Sequence, residues 1–189
     1  MTGLVQTRGV DRAEATAAER RAALPGDDLV RADVVMDRGF DLPAPPEQVW
    51  PWLVQLGKRR AGWYLPASVE RFVPRSRRAL RHVEASLLEH EVGDVIPDWG
   101  GKDATFTLAA IEPPRLLLYT SRRGRTDLTW CLHLSPGRRP GAGTRVHLRL
   151  RMGPVGHQRL ASSLGGLVDE LTIAGLAAGL RERLAADAG

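Results

Sequence analysis

Between residues 34 and 152 apolar and polar side chains alternate in short runs, the period-two mark of strands with one covered face. Val34, Met36, Phe40 and Leu42 share one parity, with Arg38 among them. Thr105–Ile111 reads as a strand, Pro113-Pro114 as a turn, and Leu116–Thr120 as the next strand. Leu128, Trp130, Leu132 and Leu134 face one way, and Thr129, Cys131 and His133 the other. Across Thr144–Met152, Val146, Leu148 and Leu150 point inward and Arg145, His147, Arg149 and Arg151 outward. Val92–Trp99 is a strand interrupted by the turn pairs Gly93-Asp94 and Pro97-Asp98. After Gly153-Pro154 the period changes to that of a helix. Leu160, Leu164, Leu167, Val168, Leu171, Leu176 and Leu180 recur at helical spacing over about 158–185. Gly165, Gly166, Gly175 and Gly179 weaken that helix, and either admit close approach of a strand or leave room for a ligand.

Two shorter helices follow the first strand. Pro45 and Pro46 suit a first helical turn, Glu47 suits the positive helix end, and Gly57 stops the element after about Leu56. Ala67–Phe72 reads as the second, and residues 74–90 are Arg-rich and irregular. Residues 1–30 carry little to bury. A short helix over Asp11–Ala23 ends at Pro25-Gly26-Asp27-Asp28, and the segment is expected to be a flexible tail before a domain at 31–189. The order β–α–α–β–β–β–β–β–α lacks the alternation of parallel winding. It calls for an α+β fold: a curved antiparallel sheet wrapped around the C-terminal helix.

Composition narrows the function classes. A chain of 189 residues with 43% hydrophobic and 26% charged residues can bury a real core. No apolar run reaches the ~18–20 residues that span a bilayer. The first 21 residues lack the apolar stretch of a secretory signal, so the cytoplasm is the expected location. The single Cys131 excludes an internal disulfide and a multi-cysteine metal site. A net charge of +5 rests almost wholly on arginines spread along the chain, densest at Arg71–Arg81 and Arg122–Arg125. That spread argues solubility rather than a specific nucleic-acid surface. Neither a metal nor a cofactor is implied. The histidines form no His-x-His or His-Glu-x-x-His pattern, and Asp94, Asp98 and Asp103 are too few oxygens for calcium.

The stretch Ala44-Pro-Pro-Glu-Gln-Val-Trp-Pro-Trp-Leu-Val-Gln-Leu-Gly, followed by Arg60-Ala-Gly-Trp-Tyr, resembles the START-like (SRPBCC) superfamily, in its uncharacterised bacterial branch. This is the helix-grip, polyketide cyclase/dehydrase-like group. Val92-Gly-Asp, Ile96-Pro97, Phe106 through Ile111-Glu-Pro-Pro, Thr129-Trp130 and Thr144-Arg145 extend the likeness over about 25–185. The resemblance implies an apolar cavity between the sheet and the last helix. Similar members often read Tyr-Asp soon after the Trp-Tyr turn. Here the text is Leu65-Pro66-Ala67, so a role for those groups does not transfer.

The expected partner is a small apolar or aromatic ligand. Its walls are assigned to Trp63, Tyr64 and Trp99 in loops, Phe106 and Trp130 on strands, and Leu164, Leu167 and Leu171 on the last helix. Trp50 and Trp52 are assigned to packing. The alternative is a cyclase or dehydratase acting by cavity shape and one or two acid/base groups, with Arg38, Tyr64 and Glu70 as candidates. Arg38 either faces inward beside Glu70 or Asp94, or is turned to solvent by a bulge, which is the preferred reading. Cys131, His133 and His147 share the outer face without an identifiable third group. A third class, a protein-interaction module, would use the Arg-rich outer face at Arg145–Arg151. The sequence leaves the oligomeric state open.

Overall fold

The computed structural model describes residues 13–99, 103–137, 143–156 and 158–187, without the side chains of 158–169. Its elements are α1 (Ala17–Arg21), β1 (Val34–Leu42), α2 (Pro46–Val54), α3 (Ala67–Glu70), β2 (Val95–Pro97), β3 (Thr105–Glu112), β4 (Leu116–Arg123), β5 (Thr126–Pro136), β6 (Thr144–Gly153) and α4 (Gln158–Asp187). The irregular stretch after α3 contains two single 3₁₀ turns, at Arg75–Arg77 and Ala85–Leu87.

Six strands form one open antiparallel sheet in the order β1-β6-β5-β4-β3-β2. Consecutive strands from β2 to β6 are hairpin neighbours, and β1 closes on β6. One register shift, between Leu108 and Ala110, bends β3. The concave face carries the parity expected from sequence: Phe40 and Leu42, Leu132 and Leu134, and Val146 and Leu148 are all buried. They pack against Ile173, Leu176, Ala177, Leu180 and Leu184 of α4, so the core lies between the sheet and that helix.

Close approach explains the α4 glycines that are described. A Cβ at Gly179 would stand 2.7 Å from Tyr64 C and Leu65 N, so the helix rests on the backbone of the loop before α3. At Gly175 the neighbour is only the Leu65 side chain, 2.9 Å away. The approaching segment is thus a loop, not a strand.

Two expectations are corrected on the convex side. Residues 13–30 do not hang free. Ala13 and Ala15 are buried, and α1 lies over the outer face of β6. Residues 1–12 lie outside the described residues. The outward arginines of β6 are consequently not an open surface: Arg145, His147 and Arg149 are all under 5% exposed. Apolar contacts of Ala13, Leu24 and Val30 are joined by a dense set of polar ones. Arg149 donates from Nε to Asp37 (2.8 Å), from Nη1 to Asp27 (2.7 Å) and the Ala22 carbonyl (2.8 Å), and from Nη2 to the Glu19 carbonyl (2.8 Å). Arg145 donates to both Glu19 carboxylate oxygens at 2.7 and 2.9 Å. Glu19 also closes a capping box with Thr16 at the start of α1.

Candidate functional site

The concave face is not filled along its whole length. Towards the β4–β5 hairpin a cavity of 320 Å³ opens, bounded by Leu128 and Trp130 of β5, Leu150 and Met152 of β6, Phe106 of β3 and Ile173 of α4. Its rim is made by loops: Trp63 from the turn after α2, and Pro97, Asp98 and Trp99 at the end of β2. This size falls among the ~300–1,000 Å³ pockets that hold small molecules.

The aromatic wall is continuous. Trp63 stacks near-parallel to Trp130 at 6.4 Å and edge-on to Trp99 at 5.5 Å. Trp130 in turn approaches Phe106 at 5.7 Å and Tyr119 at 5.9 Å. Strand parity produces this cluster, because Tyr119 is the register partner of Trp130 and both point to the concave side. The Trp63 indole N–H donates to the Thr172 carbonyl (3.3 Å), which ties the rim to α4. Trp99 remains 48% exposed.

The charged side chains of the wall are Asp98 and Arg123, and they are paired with each other. Asp98 Oδ1 accepts the Trp99 N–H (2.6 Å), and the Asp98 carbonyl accepts Lys58 Nζ (2.8 Å). The Arg123 guanidinium also lies over the Phe106 ring, 5.4 Å from its centroid. The strand runs three residues beyond the Thr120 end that the apolar run predicts, and this brings Arg123 into the sheet. Continuing the parity of Leu117 and Tyr119 through Ser121 places Arg123 on the concave face.

Of the residues assigned to the ligand wall, Trp63, Trp99, Phe106 and Trp130 border the cavity. Tyr64 does not: it is fully buried, donates to the Trp52 carbonyl (2.9 Å) and accepts from Gln55 (3.0 Å). Burial pushes its phenol well above the usual range, so it stays protonated. Leu171 is 67% exposed and points away from the wall, while its neighbours Thr172 and Ile173 line it. Leu164 and Leu167 lie outside the described side chains.

The three acid/base candidates are dispersed. Glu70 accepts from Arg183 (2.8 Å) and Arg81 (3.0 Å), an ion-pair cluster at the far end of α4. Arg183 also donates to the carbonyls of Leu80 and Leu65 and stacks on Tyr64 at 4.7 Å. Arg38 sits on the concave face, half-buried, because β1 runs in unbroken register with β6 and no bulge turns it out. Its Nη1 donates to the Asp37 carbonyl (3.1 Å). Neither Glu70 nor Arg38 borders the cavity.

Other titratable groups are also engaged. His90 Nδ1 meets Asp94 at 2.8 Å, and its ring lies 6.3 Å from that of Tyr119, behind the aromatic wall. On the convex side His133 and His147 are register partners. His147 Nε2 bonds Asp37 (2.7 Å), and both His133 and His147 border a second cleft of 450 Å³ beneath α1. No group of three or more metal-ligating side chains occurs among the described residues. Burial pushes the Cys131 thiol up to about 12, which removes it as a nucleophile at neutral pH.

Solved structures share this architecture. One from Rhodobacter sphaeroides aligns over 80% of this chain and 92% of its own, with a TM-score of 0.50 and 18% identity. DynU16, from the dynemicin biosynthetic locus, aligns over 82% of this chain and 48% of its own, at 0.49 and 14%. CalU16 from Micromonospora echinospora aligns over 82% and 84%, at 0.39 and 18%. No family model and no curated protein matches the sequence. At 18% identity the likeness to the Rhodobacter sphaeroides structure concerns the fold alone, a curved antiparallel sheet with a C-terminal helix in the helix-grip arrangement. Among the described residues no helix is long and apolar enough to cross a membrane.

Proposed function

We propose that this chain binds a small apolar molecule bearing a ring system, in the cavity between the sheet and α4. The observation that carries this reading is the wall itself: Trp63, Trp99, Trp130 and Phe106 around 320 Å³ of space. Burying three indoles and a phenyl ring against solvent-filled space wastes apolar contact that a planar ligand would complete. Binding is better supported than catalysis. Tyr64 and Glu70 are satisfied by internal partners away from the cavity, and Arg38 lies outside it. Shape-driven cyclisation would need at least one acid or base free to move a proton beside the substrate. The buried thiol of Cys131 is compatible with a reducing compartment such as the cytoplasm.

Native mass spectrometry of gently purified protein is expected to show an adduct that disappears on denaturation, and that is lost in a Trp63→Ala, Trp130→Ala variant that still folds. Protein without an adduct, together with no thermal shift across a panel of two- and three-ring aromatics, would sink this reading.

A further inference from the structure

We propose that Arg123 makes the cavity selective for ring systems that carry an anionic group, a carboxylate or a phenolate. The inference rests on the reading of the cavity as a binding site and adds the ligand's charge to it.

The argument begins with what the wall can still bond. Asp98 is spent: one carboxylate oxygen accepts from the Trp99 N–H and the other from Arg123. A cationic ligand would find no acid there without breaking that pair. Arg123 is not spent. A guanidinium has five N–H donors in a planar fork, and its contact with Asp98 runs through Nη2. Its Nε is buried and has no hydrogen-bond partner among the described residues. A buried donor without an acceptor is costly, and a ligand oxygen would remove that cost. Since the group is charged and its Nε is fully covered, with the side chain as a whole 30% exposed, an anionic acceptor gains most.

The geometry of the fork fits this role. Strand parity aims Arg123 at the concave side, level with the hairpin end of the cavity. Its guanidinium lies over the Phe106 ring, 5.4 Å from the centroid, and that ring also forms part of the aromatic wall. A ring bound against Trp130 and Phe106 would therefore lie beside Arg123, which lines the same cavity. Asp98 acts as the resident counter-ion, holding the loop at the end of β2 to the end of β4 until a ligand oxygen shares or replaces it.

A purely structural latch would predict something else. Losing it would alter stability, and would affect charged and neutral ligands alike.

The test compares 2-naphthoate with 2-naphthamide, which has the same ring and no charge, by titration calorimetry at neutral pH. The native protein is expected to bind the carboxylate about tenfold or more tightly than the amide. Arg123→Met is expected to erase that preference, weakening the carboxylate by about tenfold or more and the amide by clearly less. Asp98→Asn, which frees Arg123, is expected to tighten the carboxylate and leave the amide unchanged, so the proposal does not hang on one variant. Equal affinities in the native protein, or a preference that survives Arg123→Met, overturn the selectivity and leave the binding reading standing. Failure of both compounds to bind the native protein takes down the binding reading and the selectivity together.

Discussion

Arg183 shows how much a single side chain does in this fold. It is buried on α4, yet its guanidinium reaches the Glu70 carboxylate and three carbonyls, including that of Gly179 one turn earlier. Removing one partner of a buried pair typically costs about 3–5 kcal/mol, and Glu70 would be left with only the half-exposed Arg81 as its ion-pair partner. Arg183→Met is therefore expected to lose stability on that scale in urea unfolding. Adding Glu70→Leu to it is expected to restore part of the loss, because the stranded carboxylate is gone. No recovery in the double variant would mean that the carbonyl contacts, not the charge pair, carry the effect. Such a pair is hard to read from sequence. Glu70 reads from sequence only as a candidate acid, because its partner is 113 positions away and polar pairing has no period to betray it. The concave-side orientation of Trp130, by contrast, is legible because its strand alternates cleanly.

At the level of elements, two contacts attach helices to the sheet by different means. The α4 contact is steric. Gly179 brings the helix onto the Tyr64–Leu65 backbone, so Gly179→Ala is expected to destabilise by about 1–3 kcal/mol, as overpacked sites do. Gly175→Ala meets only the end of a flexible leucine. There the helix-propensity gain of up to ~1 kcal/mol offsets the displacement, and thermal unfolding is expected to shift little. The α1 contact is electrostatic. Burial pushes the Glu19 carboxyl up, but Arg145 and the Thr16 N–H outweigh it and hold it at about 2, against an ordinary 4.5. Asp37 is lowered in the same way, burial being outweighed by His147 and Arg149. A folded-state pKa below the unfolded one contributes stability that is present above the ordinary value and lost as pH falls through the folded value. Docking of α1 is thus expected to weaken between pH 4.5 and 2. An NMR titration should show amides of residues 14–22 moving towards coil shifts in that window, before those of β5. Glu19→Gln should leave the segment undocked at pH 6, and an unchanged spectrum there would refute the lock. The strands were predictable because apolar alternation has a period. The docked segment was not: its apolar anchors, Ala13, Ala15, Leu24 and Val30, are few and without a period, and much of the rest of its hold is a set of long-range ion pairs.

The whole molecule places its tryptophans in two groups, and that division makes ligand entry observable. Of five tryptophans, Trp63, Trp99 and Trp130 border the cavity. Trp50 and Trp52 sit on α2, where the Trp52 indole donates to Asp187 near the end of α4 (3.1 Å). The far end of α4 is thereby fixed by Trp52 and by Arg183, while the end near Thr172 and Ile173 faces the open space. The helix-grip arrangement concentrates rigidity at one end of the sheet and leaves volume at the other. A ring entering that volume excludes water from the cavity tryptophans and leaves the α2 pair untouched. Saturating 2-naphthoate is therefore expected to change the tryptophan emission of Trp50→Phe protein as much as that of the native chain. The change is expected to fall sharply in Trp63→Phe and Trp130→Phe proteins. The same ligand raises the unfolding free energy by RT ln(1 + [L]/Kd), about 2.7 kcal/mol at a hundredfold excess over Kd. Emission and stability must then report one Kd, because both follow occupancy of the same space. An emission change without the matching stabilisation would place the ligand on the exposed Trp99 edge and not within the fold.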